Sequence, residues 1–150
     1  MAHRKIVLAT GAFDLLHLGH VRFLEESKKK GGPKARLVVV VARDKTVKQR
    51  KGRNPILPEN QRRELVASLR IVDKAILGHE KLDMLGILKE VKPDIICVGY
   101  DQKEIKRSLV KILGEEKIRT PVVEVPRLGP EGLNSSTKVK AKVARQWKLV

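Results

Sequence analysis

Residues 6–20 read IVLATGAFDLLHLGH and predict a β-strand, a tight turn and the start of a helix. Residues 6–9 form an apolar strand-like run, and Gly11 permits a sharp turn in which other groups can approach the backbone closely. Residues 18–24 then carry apolar side chains at helical spacing. A strand followed at once by a helix begins a βαβ unit, so this stretch favours a parallel sheet.

The rest of the chain repeats this alternation of apolar and amphipathic segments. Residues 37–42 are so uniformly apolar and β-branched that both faces of the strand must be covered. Other strands are predicted at 75–77, 94–98 and 122–125, with helices starting near 58 and at 82–91, 102–113 and 135–147. Residues 43–57 are predicted to form a basic loop. We therefore expect an α/β fold, with a Rossmann-like domain over residues 1–150, a mostly parallel sheet of about five strands and helices on both faces.

The composition excludes some classes of protein. The chain has 33 Lys and Arg against 17 Asp and Glu in 150 residues, which gives a net charge of +16 and favours anionic partners. Aromatic residues make up 3% of the chain, few for a protein that stacks nucleic-acid bases. No segment approaches the ~20 apolar residues of a membrane span, and no signal-peptide pattern is present, so we expect a cytosolic protein. Cys97 is the single cysteine, so no internal disulfide can form.

The predicted turn and helix start carry two histidines in the pattern G-x-F-D-x-x-H-x-G-H. His17 and His20 are three residues apart, so they share one face of the helix. Gly19 has no side chain that would block an approaching anion, so both imidazoles can reach one phosphate chain. Imidazoles can donate hydrogen bonds to charge that grows on phosphate oxygens. The positive end of the helix favours the same anion.

The histidine pair and the net charge each allow an alternative function. The histidines could bind a metal ion, although no nearby cysteine or third histidine completes a ligand set. The net charge could instead belong to a nucleic-acid-binding module, with residues 138–148 contacting the phosphate backbone. Such a module does not need a histidine pair at a strand–helix junction, so we do not expect a nucleic-acid partner.

The histidine pattern resembles the H-x-G-H signature of the nucleotidyltransferase superfamily, specifically its cytidylyltransferase-like branch. The similarity continues in order through residues 43–47, 53–73, 99–102 and 134–138, and so covers nearly the whole chain. Within the branch, the chain is most similar to the archaeal FAD synthases, and glycerol-3-phosphate cytidylyltransferases are the neighbouring group. Ala12 departs from the pattern because the branch usually has threonine there. A hydroxyl contact to nucleotide is thereby lost, whereas the backbone N–H remains.

The resemblance implies that the AMP moiety of ATP is transferred to FMN, which gives FAD and pyrophosphate. The acceptor phosphate would attack the α-phosphorus directly, without a covalent enzyme intermediate. Mg²⁺ is the implied cofactor, ATP and FMN are the implied substrates, and the protein would be a homodimer without a membrane partner. Cytidylyl transfer to glycerol 3-phosphate or a related phosphate is the alternative within the same class.

The resemblance also implies which residues form the site. The implied catalytic residues are His17, His20 and Lys45. The implied nucleotide-binding residues lie in the first turn, in two helices, after the strand at 94–98 and before the last helix: Gly11, Ala12, Phe13, His17, Leu18, Gly19, His20, Arg62, Asp101, Ser135, Ser136, Thr137 and Lys138.

Several residues of this region could instead have structural roles. Lys45 could be a solvated lysine, and Asp101 could cap a helix. The Asp14 carboxylate could hold magnesium or orient a histidine, but we expect it to stabilise the turn through backbone N–H groups. Tyr100 and Trp147 are candidate stacking partners for a flavin.

Overall fold

A five-stranded parallel sheet organises the computed structural model, which describes residues 3–79, 83–129 and 132–149. The strands are β1 (Ile6–Gly11), β2 (Arg36–Val41), β3 (Lys74–Leu77), β4 (Ile95–Gly99) and β5 (Val122–Val125). Their order across the sheet is β3-β2-β1-β4-β5, and each neighbouring pair is parallel. The predicted fold class is confirmed.

Helices cover both faces of this sheet. The described residues form α1 (Leu18–Lys30), α2 (Asp44–Lys51), α3 (Glu59–Ala67), α4 (Met84–Val91), α5 (Lys103–Glu115) and α6 (Ser136–Gln146). On one face Leu24 of α1 and Val66 of α3 join the core, and on the other face Ile87 of α4 and Leu109 of α5 do so. Both faces of β2 are therefore shielded from water, which explains its uninterrupted apolar sequence.

Helix α2 replaces much of the basic loop predicted at residues 43–57, so that prediction was wrong. Only Thr46 and Val47 of this polar helix are buried, which leaves almost none of the apolar periodicity that identifies a helix. The helix ends at Gly52, whose φ of 75° is easily reached by glycine and whose N–H bonds to the Lys48 carbonyl.

The other helix boundaries lie near their predicted positions. The last helix was predicted from residue 135, and Ser135 is the cap of α6. The predicted start of the fourth helix at Leu82 lies outside the described residues, and α4 is observed from Met84 with Asp83 as its cap. No helix in the described ranges is long and apolar enough to cross a membrane.

The carboxyl ends of β1 and β4 lie side by side at the point where the strand order reverses. The chain continues from β1 to β2 on one side and from β4 to β5 on the other. In open α/β sheets, ligands bind in the crevice beyond the strand ends at such a reversal.

Candidate active site

A cavity of about 620 Å³ opens beyond the carboxyl ends of β1 and β4, and we call it the main cavity. This volume lies within the range of small-molecule sites. Its walls are formed by the turn after β1, the first turn of α1, the inner side of α2, the start of α5, and the segments that follow β5 and precede α6.

The turn after β1 has an uncommon backbone that a buried aromatic ring supports. Phe13 and Leu15 have φ values of 54° and 51°, in the left-handed region that residues other than glycine rarely adopt. The Phe13 side chain is buried, and its ring centroid lies 5.5 Å from that of His20 and 6.5 Å from that of Phe23. A Cβ atom on Gly11 would lie 2.8 Å from the Phe13 ring, so this packing requires glycine there.

The two histidines of the motif stack on each other in the wall of the main cavity. Their ring centroids are 3.8 Å apart, and the His17 backbone N–H donates to Nδ1 of His20 over 3.2 Å. Since Nδ1 accepts this bond, neutral His20 carries its proton on Nε2. A Cβ atom on Gly19 would lie 2.8 Å from Cε1 of His17, so the glycine allows the His17 ring to occupy this position.

Both imidazoles are held in the neutral state. Burial, together with nearby His17 and Lys51, lowers the pKa of His20 to about 3. Burial also lowers the pKa of His17, whose two ring nitrogens are buried without a hydrogen-bond partner among the described residues. Unpartnered polar atoms are costly inside proteins, and here they line a cavity in which a ligand can satisfy them.

The start of α6 is attached to the turn after β1. The Ser135 Oγ accepts the Lys138 N–H over 3.2 Å, and the Ser136 hydroxyl donates to the Asp14 carbonyl. Lys140 adds an ion pair of 3.1 Å with the Asp14 carboxylate. The amino ends of α1 and α6 therefore both face the main cavity, which favours an anion there.

The Asp14 carboxylate stabilises the turn, as the sequence predicts. It accepts the backbone N–H groups of Ile56 and Leu57 over 2.8 and 3.0 Å. Burial by itself would raise the pKa of Asp14, but these two bonds and Lys140 lower it below the usual 3.8. The carboxylate therefore fastens the segment before α3 to the turn.

The family model described as cytidylyltransferase-like matches residues 8–142. The chain belongs to the cytidylyltransferase-like family. A FAD synthase of Thermoplasma volcanium is 47% identical over 137 residues, which cover 91% of this chain and 92% of that protein. A FAD synthase of Methanobrevibacter smithii is 45% identical over 141 residues, which cover 94% and 92%.

Solved structures resemble this cytidylyltransferase-like chain as well. The crystal structure of the lipopolysaccharide core biosynthesis protein from Thermoplasma volcanium is 46% identical, with a TM-score of 0.75, and the match covers 85% of this chain and all of that one. Pantoate-beta-alanine ligase from Francisella tularensis is 15% identical, with a TM-score of 0.61 and coverage of 98% and 71%. The second likeness supports the fold alone.

Most of the residues expected to bind nucleotide in this cytidylyltransferase-like site line the main cavity. They are Gly11, Ala12, Phe13, His17, Gly19, His20, Asp101, Ser135, Ser136 and Thr137. Leu18, Lys45 and Lys138 do not line it. Leu18 and Lys45 are exposed, and Nζ of Lys138 donates to the Asn134 side chain over 3.0 Å.

Arg62 also lies outside the cavity wall, and its guanidinium bonds to the protein itself, so its expected contact with nucleotide stays a prediction. The side chain is 0% exposed. Nη1 donates to the carbonyls of Ala12 and Ala42 over 2.7 Å each, and Nε donates to that of Leu57 over 2.9 Å. Nη2 donates to the Asp44 carboxylate over 2.7 Å. Arg62 therefore joins the turn after β1, the end of β2 and the start of α2.

Five cations of the described residues line the cavity: Arg50, Lys51, Lys103, Arg107 and Arg127. Arg50 and Lys51 belong to the basic segment 43–57 that follows the second strand, whereas Lys103, Arg107 and Arg127 were missed in the sequence. Arg127 donates to the Tyr100 hydroxyl over 2.7 Å, and its guanidinium lies 4.7 Å from the Tyr100 ring centroid. Tyr100 lines the cavity, as its candidate role requires, whereas Trp147 does not and is 71% exposed. Arg50 lies four residues after buried Thr46, so the two share one face of α2, and this spacing is the sequence signal that Arg50 faces the cavity.

The protein offers few ligands for a divalent cation. In the parts of the chain that the structure describes, no group of three or more His, Cys, Asp or Glu side chains could hold a metal ion. Asp101 and Glu104 are cavity carboxylates, whereas the Asp14 carboxylate already accepts backbone and lysine donors. This set fits an ion such as Mg²⁺, which keeps several waters and binds one or two carboxylates together with substrate phosphates.

Proposed function

We propose that this cytidylyltransferase-like protein transfers the AMP moiety of ATP to FMN and so forms FAD and pyrophosphate. The observation that carries this proposal is its similarity to relatives named FAD synthase, which are 43% to 47% identical over more than 90% of the chain. The stacked histidines and the two helix ends at the cavity supply the groups that such a reaction needs.

The transfer needs no nucleophile from the protein. An oxygen of the FMN phosphate attacks the α-phosphorus of ATP, and the bond from that phosphorus to the β-phosphate bridging oxygen breaks. Pyrophosphate leaves with the electron pair. Neutral His17 and His20 donate hydrogen bonds to charge that grows on the phosphate oxygens, while the amino ends of α1 and α6 hold the triphosphate.

Mg²⁺ is the expected cofactor, and it would neutralise phosphate oxygens when bound. Asp101 and Glu104 are the cavity carboxylates that could contribute ligands. A homodimer is also part of the proposal, and Trp147 and Leu149, which are 71% and 69% exposed, offer apolar surface for it. The cytosolic location expected from the sequence stays a prediction.

A second candidate is favoured by the name of the family. The matching family is described as cytidylyltransferase-like, which names cytidylyl transfer. The Thermoplasma volcanium structure that is 46% identical to this chain is named a lipopolysaccharide core biosynthesis protein, so the names of the relatives do not all point to FMN. Transfer of CMP from CTP to glycerol 3-phosphate or a related phosphate is therefore the second candidate.

A substrate screen tests both candidates. Pyrophosphate release is measured with ATP or CTP against FMN, glycerol 3-phosphate and pantetheine phosphate, and FAD is quantified by chromatography. We expect turnover of ATP with FMN and one FAD per pyrophosphate. Turnover of CTP with glycerol 3-phosphate, without any FAD, would contradict the proposal and support the second candidate. Submicromolar duplex binding at physiological salt, without nucleotide binding, would contradict both.

A further inference from the structure

A second, smaller cavity of about 60 Å³ adjoins the main cavity on the other face of the sheet. It lies between the ends of β1 and β2 and helices α2, α4 and α5, and most of its lining is apolar. Six residues line both cavities: Thr10, Gly11, Ala42, Thr46, Arg50 and Ile105. We call these six residues the junction. The junction is part of the proposed active site, but it is separate from the histidine pair.

Thr10 places an unpartnered hydroxyl at this junction. The residue is 8% exposed, and its Oγ1 is buried without a hydrogen-bond partner among the described residues. Because side chains alternate along a strand, Thr10 shares the α4 and α5 face with Leu8, whereas Phe13 and the His20 ring that it contacts belong to the α1 side. A buried hydroxyl usually has a partner, so this one is suited to bind a polar ligand.

One cation lines the junction, and a second lies in the adjoining main cavity. Arg50 lies on α2 one turn after buried Thr46, and it lines both cavities. The amino end of α5 faces the main cavity, and Arg107 follows on that helix. Glu104 also lines the cavity, so the surroundings include a carboxylate as well as the cations. A guanidinium binds phosphate with two parallel hydrogen bonds, and a helix amino end favours an anion.

We propose that Thr10 and Arg50 bind the phosphomonoester of the acceptor and orient its oxygen for attack. This inference rests on the proposed function and identifies the acceptor side of that site. In an in-line displacement, the entering and leaving oxygens lie on opposite sides of the phosphorus. The Thr10 side chain points to the α4 and α5 side of β1, away from the Phe13 and His20 rings on the α1 side, and Arg50 borders both cavities. An acceptor phosphate bound there would approach the α-phosphorus from the side away from the histidines. Thr10 keeps its proton, because the acceptor phosphate is already ionised.

The test separates phosphate recognition from the rest of substrate binding. Thr10→Val removes the hydroxyl with little change of shape, Thr10→Ser restores it, and Arg50→Gln removes the charge. KM is measured separately for FMN and ATP, and Kd is measured for FMN and riboflavin by flavin fluorescence. Lys48→Gln is the matched control, since Lys48 is an exposed cation of α2 outside both cavities.

We expect Thr10→Val and Arg50→Gln each to raise KM and Kd for FMN by about tenfold to a hundredfold, the range for a hydrogen bond to a charged group. The KM for ATP should stay within about twofold, and the Kd for riboflavin should not change, because riboflavin has no phosphate. Thr10→Ser should recover most of the FMN affinity.

Several outcomes would overturn the proposal. Wild-type FMN binding in both variants would do so, as would equal loss of FMN and riboflavin affinity or an equal rise in the KM for ATP. If the wild type makes FAD and the variants behave like it, the subsite fails and the proposed function stands. If the wild type converts another phosphomonoester instead of FMN, the function fails, and the same KM comparison with that acceptor decides the subsite. If no acceptor is converted, both fail.

Discussion

The two walls of the main cavity favour an anion by different means. The α1 wall, formed by the turn after β1 and the first turn of α1, holds two stacked neutral imidazoles that are half-buried. The α2 wall presents Arg50 and Lys51, which are exposed on a helix of eight residues. Fixed neutral donors respond to charge that grows in the transition state, whereas cations also bind the phosphates of the ground state. We therefore expect the α1 wall to govern kcat and the α2 wall to govern KM, with Arg50 acting on the KM for FMN and Lys51 on that for ATP.

Arg62, which is buried behind the cavity wall, connects these two walls. It bonds to the Ala12 carbonyl in the α1 wall and to Ala42 and Asp44 at the start of the α2 wall. Three hydrogen bonds of its buried guanidinium hold the two walls at one separation, and the fourth goes to the Leu57 carbonyl before α3. The distance between histidines and cations thus depends on a residue that lines neither wall.

The largest expected effect tests the α1 wall. His17→Asn and His20→Asn should each lower kcat by about 10²- to 10⁴-fold, because each removes a donor placed for the transition state. ATP affinity, measured by calorimetry, should fall by less than about tenfold, since the helix ends and the cations remain. His3→Asn is the control, because His3 pairs with Asp94 at the amino ends of β1 and β4, opposite the main cavity. Unchanged kcat in both variants would remove the histidines from the mechanism.

The next effect tests the connection between the walls. Arg62→Met should lower the free energy of unfolding by about 3–5 kcal/mol, because it breaks a buried ion pair and leaves carbonyls without donors. Urea denaturation measures this change. Arg63→Gln on the same helix should change stability by less than about 0.5 kcal/mol, because Arg63 is partly exposed and its ion pair with Glu64 spans 3.9 Å. Similar losses in the two variants would contradict the role of Arg62.

A smaller effect concerns pH and stability. The pKa of His20 falls from 6.5 in the unfolded chain to about 3 in the folded one, so the unfolded chain binds the extra proton between these values. The contribution of His20 to the free energy of unfolding is therefore fully present above pH 6.5 and is lost as the pH falls toward 3. For one proton this loss is up to about 1.4 kcal/mol per pH unit. Urea midpoints at pH 7, 6 and 5 should show this slope, and His20→Asn should reduce it. Equal slopes in the wild type and in His20→Asn would mean that folding does not lower the pKa of His20 and that its imidazole is exposed to water.

The α1 wall could be predicted from the sequence because its parts are local. A strand, Gly11, two histidines three residues apart and the start of α1 set the geometry within fifteen residues. Arg62 could not be predicted in this way, because its acceptors are backbone carbonyls 50 and 20 residues away, and no side-chain pattern marks a carbonyl. The basic residues of the α2 wall were noticed in the sequence, but their helix was missed for another reason. With only Thr46 and Val47 buried, the helix has too little apolar periodicity to be recognised, and its cations could not be assigned to a face.

The smallest expected effect concerns the lysines of the α2 wall. Lys45 matched a family position in the sequence but does not line the cavity, whereas Lys51 lines it and contributes to the low pKa of His20. Lys45→Gln should therefore change kcat/KM for ATP by less than about threefold, and Lys51→Gln should lower it by about tenfold, the size of one exposed charge contact near a phosphate. Added salt should reduce the difference between the two variants, because ions screen an exposed contact. If Lys45→Gln causes the larger loss, the flexible Lys45 side chain reaches the phosphates from outside the cavity, and the α2 wall has to include the first turn of α2.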